Sequence, residues 1–463
     1  MAKEEVLMEK TLEKAAAAPA VVLGQAINLS KKFGKSITDQ RHIKKGREYW
    51  ENLGPGLTTG ASDDDPSGIA TYSQTGAQYG PQLLWLAAFT FPLMAVVQEM
   101  CARIGLVTGQ GLAGNIKDYF PRWVLYICTI LLLVANTLNI GADIGAMAKA
   151  VQLLQPHWNF FTLVLGFTIF SLALQIFTPY ERYAKYLKYL ALILLSYVAT
   201  ALIINLNWQN IVYHSVIPTI NFSKDQIILV CAILGTTISP YLFFWQTSQE
   251  VEEEILRGKT TLEERQASTS SKEIKNMRID VWSGMFVSNL VMFFIIAVCA
   301  ATLNAHGINS IKTAADAAAA LRPIAGDYTY LLFTLGIIGT GLLAIPVLAG
   351  AASYALAESF GWESGLYREL KEANSFYGVI IISMLIGLAV NFIGLDPIKA
   401  LIYSAVVNGL VAPVILVLIL LISNNKLVMG KWRNRKSMNY IGWFITILMV
   451  LAGVGTIYSL FTS

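Results

Sequence analysis

Gly54-Pro55-Gly56-Leu57-Thr58-Thr59-Gly60-Ala61-Ser62-Asp63-Asp64-Asp65-Pro66-Ser67-Gly68 opens an apolar run from Leu53 to Tyr79, and its three adjacent carboxylates fall near the middle of that run. A run of this length can cross a hydrocarbon core of about 30 Å as a helix. Proline removes a backbone donor and clashes with the preceding turn, and glycine weakens the helix further, so the helix should break here. Charge at this depth is costly and marks a pathway or a binding site. Neighbouring helical residues point about 100° apart, so an unbroken helix could not aim all three carboxylates at one place. Asp65, beside the break, is expected to face a substrate. Asp63 and Asp64 are expected to line a vestibule or to hydrogen-bond neighbouring helices. A lone Asp-Pro would read as a capped kink; three carboxylates favour function.

Further along, Leu234-Gly235-Thr236-Thr237-Ile238-Ser239-Pro240-Tyr241 again places a proline at the middle of an apolar run. Alone it would be a kink with its carbonyls covered by Ser and Thr side chains. Its weight comes from its position in the count of segments. Eleven membrane segments are expected: Leu53 to Tyr79, Leu83 to Val107, Trp123 to Leu153, Phe160 to Phe177, Tyr183 to Asn205, Gln226 to Glu250, Ile279 to Leu303, Tyr328 to Glu358, Phe376 to Ile393, Pro397 to Ile422 and Tyr440 to Phe461. The two interrupted segments, first and sixth, open two successive groups of five and run in opposite directions. That placement predicts an inverted five-plus-five repeat with broken helices around a midplane site.

Composition agrees. The chain has 463 residues, 55% hydrophobic and 14% charged, against about 25% charged in soluble domains. Helices satisfy their own backbone hydrogen bonds, as lipid requires, and the short alternating strands of a barrel are not seen. Cys101, Cys128, Cys231 and Cys299 lie in apolar runs without C-x-x-C spacing and read as core residues. The four histidines are scattered, and the charged first fifty residues do not resemble a signal peptide. Residues 1–50 are expected to form a polar, Lys-rich cytoplasmic arm, and residues 51–463 the membrane domain, with segments 1–5 over about 53–205, 6–10 over about 226–422 and 11 over about 440–461.

Of 34 Lys and Arg, the external loops of this scheme hold Lys224, Lys312, Arg322 and Lys399, and the segments hold Arg103 and Lys149; the other 28 fall on the side of the N-terminal arm. Positive loops stay cytoplasmic. The arm is therefore expected inside and the C-terminus outside, in a plasma or inner membrane.

With these motifs in place, the sequence from about Asn52 to its C-terminus resembles the NRAMP family of divalent-metal transporters, which have the LeuT-type fold. Besides the first segment, the resemblance is carried by Leu93-Met94-Ala95 with Gln98, Ala102-Arg103-Ile104-Gly105, Val107-Thr108-Gly109, Ala349-Gly350 and Met429-Gly430. It implies an all-α membrane protein of two inverted five-helix repeats plus an eleventh helix, with no catalytic residues. The family's Asp-Pro-Gly-Asn appears as Asp65-Pro66-Ser67-Gly68, and its Ala-x-x-Met-Pro-His as Thr236-Thr237-Ile238-Ser239-Pro240-Tyr241. Ser239 thus replaces a thioether ligand, and Tyr241 a histidine associated with protons. Thioethers favour soft transition metals, whereas oxygen ligands suit Mg²⁺. Gly68 and Ser239 should also enlarge the pocket, and Mg²⁺ keeps several of its waters. In these departures the sequence resembles the NRAMP-related magnesium transporters.

The resemblance implies a site of Asp65 for charge, Ser62 and Thr236 for backbone carbonyls, and Gly68, Ser239 and Asn408 around retained water. In the tenth segment the family's glutamine aligns with Ala405; Asn408, one turn onward, serves either the ion or an interhelical hydrogen bond. In the third segment Asn136, Asn139 and Asp143 share one helix face. There the family's proton-linked Asp and Glu become Asn139 and Ala142, or Asp143 under an offset alignment. Asp63, Asp64, Asn139, Asp143 and Tyr241 are therefore pathway or vestibule candidates. Glu99 and Arg103 are expected to pair along one helix, and Glu250, Glu252, Glu253 and Glu254 to form a solvated run.

The expected function is passive or weakly proton-coupled transport of Mg²⁺ as a partly hydrated ion, with Mn²⁺ as the second candidate, by alternating access. The ion is substrate, not cofactor. The alternative is a LeuT-type carrier of an amino acid or amine that has lost metal binding. No phosphate loop, H-E-x-x-H or nucleophile motif points to an enzyme. The partners expected are the cation and the lipid bilayer, without nucleic acid, in a monomer.

Overall fold

The computed structural model describes residues 54–178, 194–204, 206–221, 223–267, 269–311 and 313–461. The N-terminal arm and most of the fifth segment lie outside the described residues. Among the described residues the chain is helical and has no strand.

The first apolar run is two helices, α1 (Pro55–Asp63) and α2 (Pro66–Tyr79). Next come α3 (Trp85–Thr108), the short α4 (Leu112–Tyr119), α5 (Arg122–Leu154) and α6 (Phe160–Phe177). Of the fifth segment, α7 (Leu195–Ile203) is described, followed by α8 (Trp208–Val216). The sixth run is again two helices, α9 (Lys224–Thr237) and α10 (Pro240–Leu256). Then follow α11 (Leu262–Ala267), α12 (Ser271–Thr302), α13 (Ala314–Ala318), α14 (Thr329–Phe360), α15 (Asn374–Val390), α16 (Pro397–Asn424) and α17 (Lys436–Phe461). Among the described residues eight helical stretches are long and apolar enough to cross a membrane, one of them taking in both α2 and α3; α15 is apolar but shorter.

The two halves pack in matching ways. The second half-helix of the first run, α2, lies on α12, and its counterpart α10 lies on α3. Helices α5 and α14, third in their repeats, form the most extensive contact with each other, and α12 packs on α3. Each opening helix therefore crosses into the other repeat, and this brings the two breaks together. The outer faces of α6 and α17 leave Phe161, Ile169, Phe170, Leu451, Val454 and Ile457 exposed. A belt of this kind would be a liability in water and is the normal surface facing lipid. All four cysteines are free and buried, as their apolar surroundings predict.

Close backbone approach replaces side-chain bulk at several crossings, the usual solution for helices in lipid. At Gly235 of α9 an added Cβ would lie less than 3.0 Å from the Ala405 carbonyl and the Gly409 backbone of α16. The expected Glu99–Arg103 pair is loose, at 3.8 Å. Glu99 instead binds across to α12, accepting from Arg278 Nε at 2.8 Å and from Trp282 Nε1 at 2.8 Å. Arg103 reaches the Asn434 side chain and Met438 Sδ. Three of the four glutamates that close α10 are not solvated, Glu250, Glu252 and Glu254 being buried, while Glu253 is partly exposed and pairs with Arg257 at 2.5 Å. Glu252 accepts from Tyr354 Oη and from the Leu366 N–H. Lys259 bridges Glu254 at 3.0 Å and Glu273 at 2.9 Å. Partial burial alone would lower the Lys259 ammonium, but these bonds outweigh it and raise its pKa.

Candidate functional site

Both breaks have the same local form: helix, one bent residue, one extended residue, then a proline that starts the next helix. In the first, Asp64 is the bend and Asp65 is extended, at φ −68° and ψ 171°; in the second, Ile238 is the bend and Ser239 is extended, at φ −81° and ψ 135°. A residue before proline is pushed to this extended region. Asp65 adds an N-cap, its Oδ1 accepting from the Gly68 N–H at 2.7 Å and from Ser67 Oγ at 2.6 Å. Ser239 acts on the helix behind it. Its hydroxyl shares its proton between the Gly235 and Thr236 carbonyls, 2.7 Å from each, satisfying carbonyls that the end of α9 leaves open.

The breaks touch. Tyr241 Oη donates to the Ser62 carbonyl at 3.0 Å, and a Cβ on Gly68 would lie 3.2 Å from Thr236 Oγ1. The room expected beside Gly68 is therefore taken by the Thr236 hydroxyl and the Tyr72 ring, the latter 3.3 Å from that Cβ position. The Ser62 and Thr236 carbonyls likewise already accept one hydrogen bond each; a carbonyl oxygen has a second lone pair to offer.

Asp65 is 1% exposed, and its Oδ2 accepts from Asn139 Nδ2 of α5 at 2.8 Å. Asn139 Oδ1 accepts in turn from Ser404 Oγ of α16 at 2.6 Å. Helix α5 thus holds the carboxylate, and α16 holds the residue that does so. Asn136, one turn earlier on the same face, donates to the Leu348 carbonyl at 2.8 Å and ties α5 to α14. Asp143, one turn later, is fully buried, and among the described residues both of its oxygens lack a hydrogen-bond partner. The same holds for both ends of the Asn408 side chain. Its neighbour Gly409 abuts Gly235, which sets Asn408 close to the end of α9.

The other two carboxylates turn to α12. Asp63 Oδ2 accepts from Ser288 Oγ of α12 at 2.7 Å, and Asp64 Oδ1 lies 3.4 Å from the same hydroxyl. Among the described residues no three His, Cys, Asp or Glu side chains converge as a metal cage. What the breaks assemble is one carboxylate among neutral oxygen and amide groups. Sequence reasoning missed Ser288 and Ser404, which look like ordinary small residues of apolar helices.

The family model described as natural resistance-associated macrophage protein-like, Nramp, matches residues 56–459. A similar protein from Erwinia tasmaniensis, named divalent metal cation transporter MntH, is 26% identical over 430 residues, 90% of this chain and 97% of that one. A second of the same name, from Pectobacterium carotovorum, is 28% identical over 86% of this chain and 92% of its own. Among solved structures, a manganese transporter of Eremococcus coleocola, in complex with an aromatic bis-isothiourea substituted compound, superimposes with a TM-score of 0.68 at 18% identity. The match covers 88% of this chain and 86% of that one. At that identity the likeness speaks for the fold: two inverted five-helix repeats of the LeuT type with an eleventh helix.

Proposed function

The chain belongs to the Nramp family, and from that premise we propose that it is a multi-pass membrane transporter that carries a divalent metal cation by alternating access, with Asp65 supplying the charge. The observation that carries this reading is a buried carboxylate at the meeting point of two helix breaks, surrounded by neutral donors only. Among the described residues it has no cationic partner. A negative charge so placed is poorly compensated until a cation arrives.

The finer proposal is Mg²⁺, with Mn²⁺ as second substrate, carried with part of its water. One carboxylate cannot replace the hydration of a dication, and Mg²⁺ releases water reluctantly. Waters on a cation point their hydrogens outward and need acceptors. Asp65, the Ser62 and Thr236 carbonyls, Ser239 Oγ and Asn408 Oδ1 are acceptors, and no thioether ligand stands at the second break. Proton coupling is weak or absent in this reading. Tyr241 takes the place of a titratable imidazole and spends its hydroxyl proton on the Ser62 carbonyl. The carrier is a monomer with its N-terminus cytoplasmic and its C-terminus external. Alkaline phosphatase fused after Ser463 should therefore be active, and the same enzyme fused between α10 and α12 inactive.

The deciding experiment is Mn²⁺ and Mg²⁺ uptake into proteoliposomes. Asp65→Ala should abolish uptake of both while leaving the protein folded by size-exclusion profile. Equal flux through the variant, or flux of amino acids with no response to divalent ions, would overturn the reading.

A further inference from the structure

The first turn of α1 docks on α12 through contacts separate from those of Asp65. Asp280, in the N-terminal part of α12 and 4% exposed, turns its carboxylate onto the first turn of α1. Its Oδ2 accepts from the Gly56 N–H at 2.7 Å and its Oδ1 from the Leu57 N–H at 3.1 Å. First-turn N–H groups have no partner within their own helix, and the positive helix end favours an anion. Asp280 therefore caps a helix from a distance of more than two hundred residues along the chain.

Beyond this cap the two helices meet backbone to backbone. A Cβ on Gly56 would sit 2.6 Å from the Val281 backbone, and a Cβ on Gly60 or Gly284 would fall less than 3.0 Å from the carbonyl of the facing helix. Seams of small residues hold by contact alone, with no directional bond. A third strut reaches α10: Thr59 Oγ1 donates to Gln246 Oε1 at 2.5 Å, and Gln246 Nε2 donates to Glu250 Oε1 at 2.9 Å. Helix α1 has nine residues and is cut from α2 at Asp64–Asp65. It can move as a rigid lever about that break while α2 stays in place.

We propose that Asp280 is a positioning residue for transport: its cap holds α1 docked on α12 and α10, closing the route from the Asp65 site to the end of the molecule where α1 begins. When the cap releases, the glycine seam parts without any side chain having to be withdrawn. The contact with Gln246 breaks with it, and the route opens. This proposal rests on reading Asp65 as the cargo site, but its first test does not.

Hydrogen–deuterium exchange of the full chain in lipid nanodiscs reads the docking directly. Asp280→Ala and Asp280→Asn should raise deuterium uptake in peptides covering 55–63 at least about fivefold, the scale of losing charged hydrogen bonds. Uptake in α5 and α14 should stay at its wild-type level, and Asp280→Glu should restore protection in part. In proteoliposomes the Asp280→Ala carrier should show a raised KM for Mn²⁺ offered from the outside, with kcat less affected. If Asp280→Ala fails to fold, Asp280→Asn serves, since it keeps the size of the side chain and one acceptor oxygen but not the charge; the same local rise in exchange is expected. Unchanged exchange over 55–63, or a rise spread evenly over all helices, overturns the latch. A wild-type protein that moves no divalent cation, together with the local rise in Asp280→Ala, defeats the transport reading and leaves the latch standing.

Discussion

Asn139 stands at the crossing of two hydrogen bonds, donating to Asp65 and accepting from Ser404. Asn139→Ala leaves one oxygen of a buried carboxylate without its donor. Apparent Mn²⁺ affinity should change by roughly tenfold, the size of one hydrogen bond to a charged group. Mn²⁺ titration of the purified variant measures it. Ser288 does similar service for Asp63, and Ser288→Ala should destabilise the protein by about 1–3 kcal/mol through an unsatisfied buried oxygen. A lowered midpoint in thermal unfolding in detergent checks this. Asp65 was legible in the sequence because a carboxylate beside proline in an apolar run has few structural excuses. The serines that serve these carboxylates were not, since a serine in a membrane helix commonly bonds its own backbone; Ser404 does so as well, to the Leu401 carbonyl.

For the helices, proline by itself was a poor guide. Pro92, Pro346 and Pro413 stay inside α3, α14 and α16, whereas Pro66 and Pro240 start new helices. The difference lies in what precedes them: Asp65 can cap the next helix, and Ser239 can cover the last carbonyls of the previous one. The sequence showed both residues, and the pairing of first and sixth runs gave them meaning. It could not show the packing of Thr236 and Tyr72 against Gly68, because a missing side chain in one helix says nothing about what its neighbours put there. The Gly235 crossing makes a test of helix approach. Gly235→Ala should push α9 from α16 and cost about 1–3 kcal/mol, as overpacking does, seen as a lower thermal midpoint together with reduced uptake.

At the scale of the whole molecule, the transport proposed above, without proton exchange, has an electrical consequence. A dication that crosses without proton exchange carries two charges, and each is worth about 2.3 kcal/mol per 100 mV of membrane potential. An interior-negative potential set with potassium and valinomycin should therefore speed Mn²⁺ uptake into liposomes, and a pH gradient alone should leave it unchanged. Acidification of the lumen in step with uptake would show that protons travel too. Among the described residues, the order of the helices and the lipid-facing ones could be read from hydropathy, because lipid enforces it on every residue. Contacts such as Glu99 to Arg278 or Glu252 to Tyr354 join residues far apart in the chain, and no local pattern announces them.

The bare crossing of α1 and α12 also bears on how this chain can vary. Alanine is the smallest side chain that can replace glycine, and at Gly56, Gly60 and Gly284 even its methyl group meets backbone atoms of the facing helix. On the opposite face of α12, Phe286 looks outward, half exposed, its ring meeting Phe91 edge to face. One helix thus carries a side frozen against drift, and the boundary is set by where another backbone comes to rest.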